Sequence, residues 1–308
     1  FNVESEMTTF LQTESYVYHL QKDLYIPGNI LFSDRYAMKI TNGSFTSLIA
    51  GSATQNGYVQ GVGSHARFSF IPSFLQLSTN QVIIADQYNH CLRYLNRNSN
   101  QTDQYAGNCT HEGNQNGVNA LLNKPRNLIN DLKDPGQVLI SEQGGIIKTM
   151  NTTNRNVSYF GKVGHEVYSF IQENKTGNLF MTVLHAVGVF SYQTKTFTVI
   201  SGSTNSGFQD GPFSEVRFDG PISLSFLNNH ALLVSDLHNH RLRVLDLVTN
   251  TSSSICSGEE GRTDGNFSTC TLYRPVGLLT LTDTVYVGSN QRIRRIEGKL
   301  GLLTFIAE

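Results

Sequence analysis

Residues 232–245 read LLVSDLHNHRLRVL, and residues 83–95 read IIADQYNHCLRYL. Both pass from an unbroken apolar run, through a polar corner of the form Asp-x-x-Asn-His, into alternating basic and apolar residues. A short apolar run, a cluster of turn formers and a period-two continuation describe two strands joined by a tight connection rather than a helix. The frame recurs at 285–296 as VYVGSNQRIRRI, and in weaker form at 30–41 (ILFSDRYAMKIT), 138–150 (VLISEQGGIIKTM) and 179–192 (LFMTVLHAVGVFSY). After each copy come a turn and another apolar run, ending at Gly51, Gly107, Gly161, Gly202, Gly258 and the C-terminal LLTFIAE. The intervals are 56, 54, 41, 56 and 50 residues.

A fourth element precedes each apolar run, as in ARFSFIPSFLQL (66–77), LLNKPRNLIN (121–130), VRFDGPISLSF (216–226) and LYRPVGLLTL (272–281). It follows Gly-rich excursions such as QDGPFSE (209–215) and TDGNFST (263–269). Four short strands repeating at this spacing predict the blade of a β-propeller, so the expected fold is all-β with six four-stranded antiparallel blades. Approximate blade boundaries are 14–51, 66–107, 120–161, 165–202, 216–258 and 272–308, in one domain without a linker. Residues 1–13 form an N-terminal extension or a clasp strand. MTTFLQTESYVYHL is expected to supply the first strand of blade one, in preference to a pairing of MTTFLQ with blade six. LLTFIAE (302–308) is expected as the last strand of blade six.

The corner Asp-x-x-Asn-His-x-Leu-Arg at 86–93 and 236–243, with Arg-Phe-x-x-Pro or Tyr-Arg-Pro ahead of it, resembles the NHL-repeat β-propeller family. The match is strong in blades two and five, fair in six, and eroded in one, three and four. The resemblance implies the fold and leaves function open, because a fold hosts many functions.

Composition narrows the classes of partner. A formal charge of −1 among 308 residues lacks the positive footprint that phosphate neutralisation requires, so nucleic acid is not an expected partner. No apolar run approaches the length of a membrane span. The start, FNVESEMTTF, has neither a basic nor an apolar leader region and reads as a mature chain after signal removal. Only 15% of residues are charged, and Asn-x-Ser/Thr occurs at Asn42, Asn100, Asn108, Asn151, Asn156, Asn174, Asn250 and Asn266. Six of these fall in turns of one side of the blades: Asn42, Asn100, Asn151, Asn156 and Asn250 between strands c and d, and Asn174 between a and b. The four cysteines form close pairs, Cys91 with Cys109 and Cys256 with Cys270, which predicts two local disulfides and an oxidising compartment. The expected location is therefore extracellular, as a secreted protein or the ectodomain of a larger surface protein carrying N-linked glycans.

For chemistry, the corners carry His90 and His240 at matching places, with His185 of blade four near them in the frame. Three histidines converging on a central channel could hold zinc or calcium. The amidating lyase of peptidyl-hydroxyglycines and lactonase-type propellers resemble this architecture and carry such metals. The competing reading makes the corner structural, with Asp and Asn capping backbone groups and His sharing the network. The expected function is accordingly non-enzymatic, without a cofactor. Neither an HNH-nuclease context, nor a Gly-x-Ser-x-Gly elbow, nor a phosphate-binding glycine motif is present.

The preferred reading is a recognition or scaffold module for a protein, peptide or glycan. A matrix or filament subunit formed by self-assembly and a metal-dependent lyase or lactonase are the alternatives. Binding is expected on the excursions Gln55–Arg67, His111–Asn116, Asn205–Arg217 and Glu259–Asn266, together with the b-to-c corners. The candidate contacts are Tyr88, His185, Phe208, Phe213 and His238, while Phe68 and Phe218 are assigned to the core. Strand alternation places several of Arg241, Arg243, Arg292, Arg294 and Arg295 in solvent.

Overall fold

The computed structural model describes residues 6–282 and 284–297. It contains six antiparallel sheets, one per blade, and the chain is an all-β six-bladed propeller. Blade one comprises strands Val17–Lys22, Ile30–Asp34, Ala37–Thr41 and Thr46–Gly51, here called a to d. Blade two repeats the order with Phe74–Gln76, Gln81–Asp86, Cys91–Asn96 and Gln101–Gly107, and blade three with Leu128–Asn130, Gln137–Glu142, Ile146–Asn151 and Val157–Lys162. Blade four holds Val167–Gln172, Leu179–Val183, Ala186–Phe190 and Phe197–Gly202. Blade five holds Pro221–Asn228, Ala231–Asp236, Arg241–Asp246 and Thr251–Ile255.

Blade six departs from the expectation. Its strands a to c are Pro275–Thr280, Thr284–Ser289 and Arg292–Glu297, and its fourth strand is Glu6–Gln12 from the other end of the chain. Met7 pairs with Ile296 and Gln12 with Arg292, with a bulge between Thr9 and Leu11. MTTFLQ is thus the clasp, and Val17–Lys22 alone supplies strand a of blade one. Sequence favoured the opposite assignment because LLTFIAE carries an equally good strand pattern; that segment lies outside the described residues.

By internal packing the chain divides into two compact units. Unit 2 runs through Tyr18–Met181 and Val189–Thr198, and unit 1 takes the remaining stretches. Within unit 2, the b strands Ile30–Asp34 and Gln81–Asp86 are buried along nearly their whole length. Their side chains enter apolar clusters such as Leu31, Met38, Phe68, Phe74, Val82 and Ile84, or Ile83, Leu92, Leu122, Val138 and Ile140. In unit 1 the corresponding cluster joins Met7 of the clasp to Leu233, Val244, Leu272, Val287 and Ile296. A strand covered on both faces needs an apolar run instead of alternation, which is why the b strands read as they do. Gly51, Gly107 and Gly202 end the d strands of blades one, two and four at positive φ: Gly107 has φ 80°, and a Cβ there would stand 2.9 Å from the carbonyl oxygen of His90.

Both cysteine pairs are bonded, Cys91 to Cys109 across the outer strands of blade two and Cys256 to Cys270 in blade five. Among the described residues, no helix is long and apolar enough to cross a membrane.

Candidate functional site

The Asp-x-x-Asn-His corner builds a closed polar network. In blade two the Ser69 N–H donates to Asp86 Oδ1 at 2.8 Å, and Asn89 Nδ2 donates both to Asp86 Oδ2 at 2.8 Å and to the Gly57 carbonyl at 2.9 Å. Arg93 completes it, giving Nη1 to Asp86 Oδ2 and the Arg67 carbonyl, and Nη2 to the Val59 carbonyl. Blade five repeats every bond with Asp219, Asp236, Asn239, Gly207, Arg243, Arg217 and Gln209. The guanidiniums lie between aromatic rings, Arg93 between Tyr58 and Phe68 and Arg243 between Phe208 and Phe218, at 4.8–5.1 Å from ring centroids. Arg243 and Arg294 are 0% and 1% exposed, which corrects their assignment to solvent. Alternation identifies a wet face only where one face of a sheet is wet.

Burial pushes Asp86 up to about 6 and raises Asp236, with the bonds from Asn89 or Asn239 and from the arginine opposing it. The eroded blades keep the pair in reduced form. Lys39 Nζ lies 2.6 Å from Asp34, and Lys148 Nζ lies 3.0 Å from Glu142, a carboxyl pushed up to about 7 by burial. In blade six Ser289 bonds both backbone groups of Tyr273, and Arg294 turns to Asp264.

The excursions proposed as binding loops are tied down as edge strands. Gly57, Gly113, Gly207 and Gly261 donate their N–H to the carbonyls of Phe68, Leu122, Phe218 and Leu272. Four residues further on, Gly61–Val62, Gly211–Pro212 and Gly265–Asn266 pair with the outermost strands of blades two, five and six, and Gly117 bridges to Val157. Phe208 is 45% exposed, yet its ring carries Arg241 at 3.8 Å and covers Arg243. Phe213, at 9%, is buried and not available as an anchor. Phe68 and Phe218 fill the core as expected.

The three histidines share one role. The backbone N–H of Lys124 donates to His90 Nδ1 at 3.4 Å, that of Gly220 to His185 Nδ1 at 3.3 Å, and that of Arg274 to His240 Nδ1 at 3.2 Å. All three donors precede a proline and have positive φ, at 49°, 67° and 49°. His90 and His240 close their corners at φ 57° and 54°, and burial lowers the pKa of both. A neutral ring accepting at Nδ1 carries its proton at Nε2 and has no free lone pair for a metal. His90 lies in unit 2, and His185 and His240 lie in unit 1. The set does not fit a metal, and no group of three or more His, Cys, Asp or Glu among the described residues is placed to hold one.

What stays outward is the residue the corner leaves variable. Tyr88 is 55% exposed, and its counterpart His238 is exposed against Gly220. His185 is partly exposed beside Asp219. Around Tyr88, unit 2 assembles a row that sequence reasoning missed. Tyr18 meets Phe70 edge-on at 4.7 Å, Phe70 lies 5.8 Å from Tyr88, and the Arg126 guanidinium lies 4.6 Å from the Tyr168 ring centroid. All are partly open. The available signal was positional, since Tyr18 and Tyr168 share the frame Val-Tyr-x-[Leu/Phe] and Arg126 follows the proline of its blade.

No protein-family model matches the chain. It is 24% identical over 283 residues to Protein SUPPRESSOR OF QUENCHING 1, chloroplastic, of Arabidopsis thaliana, a match covering 80% of this chain and 27% of that protein. The chain thus spans about a quarter of the length of that relative. Among solved structures, an auxiliary nutrient binding protein from Bacteroides thetaiotaomicron superposes with a TM-score of 0.74 at 14% identity, covering 96% of this chain and 77% of the other. A gluconolactonase from Xanthomonas campestris superposes with a TM-score of 0.65 at 8% identity, covering 96% and 90%. At such identities the likeness carries the fold alone.

Proposed function

We propose that the chain is an extracellular, N-glycosylated propeller of NHL type that acts as a non-enzymatic recognition module. The observation that carries this reading is the row Tyr18, Phe70, Tyr88, Arg126 and Tyr168, a partly open strip of rings and one guanidinium on a rigid scaffold. Such residues dominate binding energetics because they offer large contact area at small entropic cost. The ligand meets the b-to-c corners instead of the excursions, whose backbone is spent on edge pairing. Two disulfides and eight sequons support the extracellular location. Asn42, Asn156, Asn174 and Asn250 are exposed and accept glycans most readily.

The lyase or lactonase alternative draws support from the gluconolactonase likeness in fold, and the engagement of all three histidine Nδ1 atoms weighs against it. Two measurements test the proposal. Elemental analysis of purified protein is expected to return no stoichiometric metal; a stoichiometric transition metal or calcium overturns the non-enzymatic reading. An array of glycans and peptides is expected to yield a ligand whose capture falls at least about tenfold in Tyr88→Ala, the range of a moderate hot spot.

A further inference from the structure

Arg126 differs from the enclosed arginines of the chain. Arg93, Arg243 and Arg294 each give their guanidinium donors to carbonyls and carboxylates of their own blade, and Arg97 grips Asp23 through both terminal nitrogens. Arg126 is partly exposed, and its backbone is fixed by donation from its N–H to the Ser141 carbonyl at 2.8 Å. Its guanidinium nevertheless makes no hydrogen bond to any described residue. The neighbouring carboxylate is already engaged, since Glu166 Oε1 accepts the Gly144 N–H at 2.6 Å. Tyr168 covers one side of the guanidinium, and Tyr88 and Glu166 act on it electrostatically. A planar fork of five donors, laid against a tyrosine ring and left without a protein acceptor, is a preformed seat for a planar, bidentate anion.

The surroundings narrow that anion. One guanidinium faces the site and Glu166 stands beside it, so a singly charged group is favoured over a dianionic phosphate, which calls for several cations. Tyr88, Phe70 and Tyr18 continue the row as flat apolar surface, suited to a ring attached to the charge. We propose that Arg126 binds the carboxylate of a ring-bearing ligand, with the ring laid against Tyr88 and Phe70. The inference rests on the recognition reading above and names the chemistry of the same site. Acidic sugars and aromatic carboxylates share that chemistry, and the test separates them.

Calorimetric titration of the intact protein with D-glucuronate, methyl D-glucuronate ester, benzoate and inorganic phosphate is the experiment. Binding of glucuronate or benzoate is expected, with the ester and phosphate at least about tenfold weaker, as loss of a charge-assisted hydrogen bond predicts. Glucuronate binding above benzoate identifies an acidic sugar, and the reverse order an aromatic acid. Arg126→Gln should lose roughly tenfold to a hundredfold in affinity while keeping the wild-type melting temperature, and Arg126→Lys should recover part of it. Equal binding of acid and ester, unchanged affinity in Arg126→Gln, or no binding of either acid overturns the proposal. A ligand from the array that is lost in Tyr88→Ala yet indifferent to Arg126→Gln removes the carboxylate inference and leaves the recognition reading standing. Indifference to both variants removes both.

Discussion

Arg243 shows how one residue closes a blade: its guanidinium satisfies Asp236, Asp210, Ser252 and two carbonyls while two rings cover its faces. Removing one partner of a buried pair leaves an uncompensated charge, so Arg243→Ala should cost about 3–5 kcal/mol in chemical denaturation. Blade two holds the weaker copy, because Gln60 stands where blade five has Asp210, and Arg93 Nε is buried without an acceptor. Gln60→Asp should supply it and add about 1 kcal/mol, read as a higher denaturation midpoint at unchanged slope. His19 gives a pH dependence. Burial against Phe74, ring to ring at 4.8 Å, lowers its pKa from 6.5 to about 4. The unfolded chain therefore binds the proton more readily than the folded one. Its contribution is fully present above pH 6.5 and is lost as pH falls towards about 4. Denaturation of wild type and His19→Phe at pH 7.5 and 4.5 should show the smaller acid loss in the variant.

Among the elements, the strand pairs announced themselves by an apolar run, a corner and alternation, and the disulfides by their spacing. Three features stayed hidden, each for its own reason. Lys39 with Asp34 and Lys148 with Glu142 carry the same buried pair as Arg93 with Asp86, but the shorter corners and the change of cation erase the motif. The excursions read as loops because a two-residue edge strand has no periodicity. The clasp was legible as a strand, and only its partner was misassigned. That partner is fixed in part by Asp264, which accepts from the Thr9 N–H at 3.0 Å and hydroxyl at 3.1 Å while pairing with Arg294. Asp264→Ala should loosen the bulge at Thr9 and Leu11, seen as faster amide exchange across Glu6–Gln12 and a loss of about 1–3 kcal/mol.

For the whole molecule, the fold was readable and the site only half so. Tyr88 and His238 were separable from their neighbours because two copies of the corner differ there, whereas Arg126 sits in a copy too eroded to compare. Phe208 and Phe213 looked like anchors because aromatic residues in Gly-rich stretches suggest exposure; one caps a guanidinium and the other is buried. Repetition thus separates the parts that hold the blades from the parts that vary at their corners. The direct test of this division is amide hydrogen exchange with a ligand captured from the array. Protection is expected at 68–72, 86–91, 124–128 and 166–169, with the excursions Gln55–Arg67 and Asn205–Arg217 unchanged. Protection confined to the excursions, with the corners unaffected, would contradict the account.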